Sequence, residues 1–134
     1  MKSRIASILL VLVGLLNVTP AVVFFDPSRS LSLYGVELRS DDLGIIVRHR
    51  AVLLGLLGAA MIFAAFRREF IVPVVIAALV GKVAFLYLVF TTTSHTGKLG
   101  SDAMFDVAAI AVLVIALALS LGNTRSSGEA KGVD

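Results

Sequence analysis

Lys82 stands between Val80-Gly81 and Val83-Ala84-Phe85, near the middle of a long apolar run, where an ammonium group has no polar neighbour in sequence. Three more ionisable residues sit inside other apolar runs: Arg48 and Arg50, which flank His49, and Asp106. An ionisable group in a hydrocarbon layer costs at least about 2.5 to 3.5 kcal/mol, so each needs a partner, water or a ligand. One carboxylate among three permanent or near-permanent cations suits ion pairing and recognition of oxygen acceptors; two of them, Lys82 and Asp106, could also exchange protons. Asn17, within the first apolar run, adds an interhelical hydrogen-bonding group. These six, Asn17, Arg48, His49, Arg50, Lys82 and Asp106, form the candidate polar cluster, with a binding or structural role and no residue nominated as catalytic.

The residues that would support other chemistries are missing. The chain has no Cys, which rules out disulfides, thiolate metal sites and dithiol relays. Two histidines, His49 and His95, supply a transition-metal site poorly, and both read as interfacial or loop residues. No nucleophile and base pair, phosphate loop or paired acids appear, so the chain does not read as an enzyme. His95-Thr96-Gly97-Lys98 departs at its last residue from the H-x-G-H signature of the soluble phosphopantetheine adenylyltransferases, and it lies between apolar runs rather than after a strand. Asn17-Val18-Thr19 fits a glycosylation triplet but falls within an apolar run.

The elements that must position the cluster follow from composition. Of 134 residues, 58% are hydrophobic and 16% charged, with a mean hydropathy of +0.99; soluble domains run at about 45 to 50% and about 25%. Lipid is therefore the expected solvent. Four apolar runs, 5–25, 44–66, 70–90 and 103–121, each match the roughly 20 residues of a membrane-spanning helix. The expected fold is an all-α bundle of four transmembrane helices, up-down-up-down, filling residues 1–121, with 122–134 a disordered tail. Lys2 and Arg4 before the first run resemble the start of a signal peptide, but no A-x-A-like site follows, so the run is kept as a span.

The longest connection, 26–43, reads as a short interfacial helix, with Asp26 as cap, Pro27 at the first helical position and Gly35 at the end. Leu31, Leu33 and Tyr34 would lie along the membrane surface, and Ser40, Asp41 and Asp42 are candidate caps for the second span. Six basic residues (Lys2, Arg4, Arg67, Arg68, Arg125, Lys131) on one side against Arg29, Arg39 and Lys98 on the other place both termini in the cytoplasm. The surplus of cations reports orientation rather than nucleic-acid binding, and the formal charge is +3.

Taking Gly44, Thr93 and Ala103 as span ends, a rise of about 1.5 Å per residue puts Arg48 and Asp106 about 5 to 6 Å deep, Arg50 about 9 Å and Lys82 about 16 Å. Asn17 falls roughly 12 Å below Phe25 on the same rise. Lys82 can reach upward along its stem, so the cluster is expected in the outer half of the bundle, with Arg48 or Arg50 pairing with Asp106. Small residues share stripes with the polar ones: Ala51, Gly55 and Ala59 with Arg48; Ala103, Ala109 and Ala116 with Asp106; Gly14 and Ala21 with Asn17. Such stripes let membrane helices approach closely.

Leu33-Tyr34-Gly35-Val36, the run Arg48-His49-Arg50-Ala51-Val52-Leu53-Leu54-Gly55, and Asp106 early in the last span resemble the small DoxX-like four-helix membrane proteins of bacteria, over roughly residues 5–121. That resemblance implies the bacterial inner membrane. Most of the group are of unknown function, and its name-giving members are associated with quinone-linked oxidation of sulfur compounds. The expected function is a non-catalytic bundle whose basic intramembrane pocket binds a lipid, a quinone-like molecule or a membrane partner. Alternatives are a small homo-oligomeric transporter or ion path using Lys82 and Asp106, and a membrane subunit of a quinone-linked oxidoreductase. No cofactor is called for by the residues, a quinone being the one that the resemblance allows.

Overall fold

The computed structural model describes residues 2–94 and 97–129, with side chains over 4–94 and 97–121. His95 lies outside the described residues. Helix α1, Lys2–Val18, tightens into a 3-10 turn at Thr19–Ala21 and resumes as α2, Val22–Phe25. Pro20 accounts for the tightening, because it has no N–H to continue the ladder. A short helix α3, Arg29–Tyr34, precedes α4, Asp41–Phe66; a 3-10 turn at Arg68–Phe70 leads into α5, Ile71–Thr91, and α6 runs Gly97–Glu129. Among the described residues there is no strand.

Among the described residues four segments are long and apolar enough to cross a membrane: Arg4–Phe25, Asp41–Phe66, Arg68–Thr91 and Gly97–Leu121, of 22, 26, 24 and 25 residues. At about 1.5 Å per residue these span about 33 to 39 Å, against a hydrocarbon core of about 30 Å. Their outer faces are apolar: Leu16, Leu56, Phe66, Val80, Phe90 and Phe105 are all exposed, Phe66 by 78%. Water would not tolerate such a surface on a monomer, whereas lipid is its natural solvent. The chain is a four-helix integral membrane protein.

The caps show how local chemistry sets the boundaries. The Ser40 hydroxyl accepts from the Leu43 N–H at 3.2 Å, with Asp41 and Asp42 in the first turn of α4. Gly35 adopts φ 67°, a left-handed conformation that glycine takes without penalty, and closes α3. The start of α3 differs from expectation. Asp26 accepts from the Ser28 N–H at 3.2 Å, making a side-chain turn two residues ahead, and the helix begins only at Arg29. The Ser28 hydroxyl, then Arg29, hold the Asp26 carboxyl below its ordinary range. Helix α6 runs to Glu129, beyond the expected end of the fourth span at Leu121. Once a long helix is nucleated, each further residue adds a hydrogen bond at small entropic expense, even through polar sequence.

Segment 4–25 packs on α4 and α6, and α5 packs on α6 and more loosely on α4. The core follows helical spacing: Ala6, Leu10 and Val13 on α1, Ile71, Val75 and Ala78 on α5, Leu113 and Ala116 on α6, with Met61, Ala64 and Ala65 on α4. This apolar core fills the half of the bundle near the N-terminus. The half nearer α3 has only a small apolar cluster, Val23, Tyr34 and Ala51. The buried Ser30 and Lys82 also lie in that half.

Candidate functional site

On α5 the buried positions Ile71, Val75, Ala78, Lys82 and Val89 recur at spacings of three, four and seven, so Lys82 occupies the inward stripe of its helix. It is buried, with 8% exposure. Asp106 lies on the stripe of α6 that includes the buried Ala103, Leu113 and Ala116. The two stripes face one another, and the Lys82 Nζ donates to Asp106 Oδ1 at 2.5 Å. This pair replaces the expected pairing of Asp106 with Arg48 or Arg50. An earlier start of α6, at Gly97 rather than Ala103, brings Asp106 down to the level of Lys82. Asp106 therefore lies nine residues into its helix, about 14 Å, as does Lys82 counted from Thr91.

Arg50 takes a different role. Its Cζ lies 5.2 Å from the centroid of Tyr34 and 4.9 Å from that of Phe85, so the guanidinium is held against two ring faces contributed by α3 and α5. Arg50 is half-buried, and among the described residues it makes no ion pair and donates no hydrogen bond. Asp102 is within electrostatic range of Arg50, Lys98 and Asp106. Lys98, Asp102 and Asp106 are spaced four apart, a single stripe of α6. Lys98 also donates to the Ser32 carbonyl and so ties α6 to α3. Burial pushes the Tyr34 phenol up from its ordinary value, with Arg50 acting in the opposite direction.

The remaining expected members lie elsewhere. Arg48 donates from Nε to the Phe24 carbonyl at 3.0 Å, with its Cζ 5.2 Å from the Phe24 ring centroid, on the seam between α2 and α4. Two residues along a helix turn through about 200°, so Arg48 and Arg50 point in opposite directions. Asn17 is buried between α1 and α4, donating to the Val13 carbonyl at 2.9 Å and approaching Met61 Sδ at 3.9 Å. His49 is exposed. Of the six, the structure brings together Lys82 and Asp106, with Arg50 alongside.

Sequence reasoning missed Asp102 and Phe85, and it placed Tyr34 on the membrane surface, whereas the ring is buried beneath Arg50. Each left a signal. Asp102 precedes Asp106 by four residues and Phe85 follows Lys82 by three, both helical neighbours of residues already singled out. Among the described residues no group of three His, Asp or Glu side chains could hold a metal ion. The arrangement can fix two cations inside the bundle, one engaged by a carboxylate and one framed by aromatic rings. No protein-family model, curated protein or solved structure matches this chain.

Proposed function

We propose that this protein is a non-catalytic membrane bundle that holds an amphipathic molecule through its oxygen acceptors, an anionic lipid headgroup or a quinone-like ring, at the α3 end. The observation that supports this most is Arg50. A half-buried guanidinium carries up to five N–H donors, and here it lies against two rings and donates no hydrogen bond among the described residues, with the Asp102 carboxylate in electrostatic range but not bonded to it. Lys82 adds a second cation one helical turn from Phe85, with one of its three donors taken by Asp106. A ligand oxygen supplies what Arg50 lacks, and Tyr34 and Phe85 hold the group in position to receive it. The residues Arg48-His49-Arg50 and Asp106 that resemble the DoxX-like proteins are part of this reading, as are the bacterial inner membrane and cytoplasmic termini.

The test is retention of lipid or quinone in gently solubilised protein, followed by native mass spectrometry and solvent extraction. Arg50→Gln should lower the bound fraction about tenfold or more, since hydrogen bonds to charged groups contribute about 1.5 to 3 kcal/mol and 1.4 kcal/mol is tenfold. Unchanged occupancy would remove Arg50 from the site. A copurifying quinone would favour the oxidoreductase-subunit version, and its absence would count against that version alone.

A second reading rests on the buried Lys82 and Asp106 pair, which bridges two membrane-spanning helices. Exchange of that pair's partners as the bundle opens would make an ion path. One four-helix bundle is narrow, so this reading requires a homo-oligomer. In liposomes it predicts pH-dependent flux that Lys82→Met abolishes; flux that survives the substitution rules the pair out as its path.

A further inference from the structure

At the opposite end of the bundle from α3, a groove of about 480 Å³ runs between α1 and the end of α4. Its walls are Arg4, Ser7 and Ile8 of α1, Ala65 and Phe66 of α4, and Arg68 of the following 3-10 turn. The Ser7 hydroxyl donates to the Ala65 carbonyl at 2.7 Å, so the two walls are tied together at that level. Ile8 and Phe66 are 59% and 78% exposed and continue the lipid-facing surface. Arg4 and Arg68 come from separate elements to the same groove. Arg4 makes no ion pair among the described residues.

We infer that this groove binds the headgroup of an anionic glycerophospholipid. Two guanidinium forks from different elements present planar pairs of donors suited to phosphate oxygens. The apolar wall formed by Ile8, Ala65 and Phe66 accepts the start of an acyl chain, which a free phosphate ion would leave uncovered. Its position at a span end is where a lipid phosphate lies when the chain crosses a membrane. A zwitterionic headgroup brings its own cation toward Arg4 and Arg68, so the site prefers a lipid of net negative charge.

The site is separate from the Arg50 cluster, and the test keeps the two apart. Delipidated full-length protein in an uncharged detergent is titrated with phosphatidylglycerol or phosphatidylcholine and the bound lipids are counted by native mass spectrometry. In the Arg50→Gln background, which takes the α3-end site out of the count, the protein should hold one phosphatidylglycerol at least tenfold more tightly than phosphatidylcholine. Adding Arg4→Gln with Arg68→Gln to that background should remove the preference. Both arginines are exposed, so the double variant should keep the wild-type unfolding temperature; if it does not, Ile8→Ser with Phe66→Ser should weaken phosphatidylglycerol binding in its place. Equal affinity for the two lipids, a preference that survives these substitutions, or displacement of the lipid by millimolar inorganic phosphate would overturn the inference.

Discussion

Lys82→Met should lower the unfolding free energy of the detergent-solubilised protein by about 3 kcal/mol, the lower end of the range for breaking a buried ion pair. The lower end applies because the Asp106 side chain retains 23% exposure whereas that of Lys82 retains 9%. Methionine fills the volume of the lysine stem, so the loss reflects the carboxylate left inside the bundle rather than a cavity. Asp106→Asn should be destabilising for the converse reason, leaving the Lys82 ammonium without its acceptor. The combined variant is the sharper measurement. With both charges gone, the loss should fall well short of the sum of the single losses, by about 2 kcal/mol or more. Strict additivity would mean that the two side chains are not paired in the folded protein.

The second large effect is expected at Gly58→Leu, which should destabilise the bundle by about 3 kcal/mol, the upper part of the range for overpacking. A Cβ at Gly58 would lie 2.5 Å from the Gly14 carbonyl oxygen, 2.7 Å from Val18 Cγ2 and 2.9 Å from the Val18 nitrogen. Two of these are backbone atoms, so relief requires the helices to move apart. From the other side, a Cβ at Gly14 would meet the Gly58 oxygen at 2.9 Å. The pair marks the crossing of α1 on α4, where glycine lets two backbones touch and gain dispersion contacts in a solvent that offers little hydrophobic drive between helices. Gly81→Leu is the matched control, since a Cβ there meets nothing within 4 Å. Equal melting temperatures for the two variants would argue that the crossing does not exist in the membrane-like environment.

Much of this architecture could be read from the chain because its signals are local. Four apolar runs, the Ser40 cap and the left-handed Gly35 each depend on a few adjacent residues, and each stands where expected. Lys82 was conspicuous for the same reason, a cation alone in an apolar run. Its partner was not. The segment Gly97-Lys98-Leu99-Gly100-Ser101-Asp102 carries no hydropathy signal, so the extra turn and a half of α6 was invisible and the depth of Asp106 came out too shallow. The separation of Arg48 from Arg50 was available from helical geometry, since residues two apart face opposite ways. The burial of Tyr34 was not, because it depends on α3 folding back over the bundle, where the Ser30 hydroxyl donates to the Val36 carbonyl at 2.9 Å and Lys98 reaches Ser32.

The uneven interior of the bundle also shapes how it would respond to a membrane potential. The half near the N-terminus is packed with Ala6, Leu10, Met61, Ala64, Val75, Ala78, Leu113 and Ala116, an apolar and weakly polarisable plug. The charged side chains lie beyond it, toward α3. An electric field across a layered dielectric falls mostly in its least polarisable layer, so most of the voltage drop belongs to the plug. Charge rearranging among Arg50, Lys82, Asp102 and Asp106 stays near one electrical level. Charge passing the plug would work against nearly the full potential, about 2.3 kcal/mol per elementary charge at 100 mV.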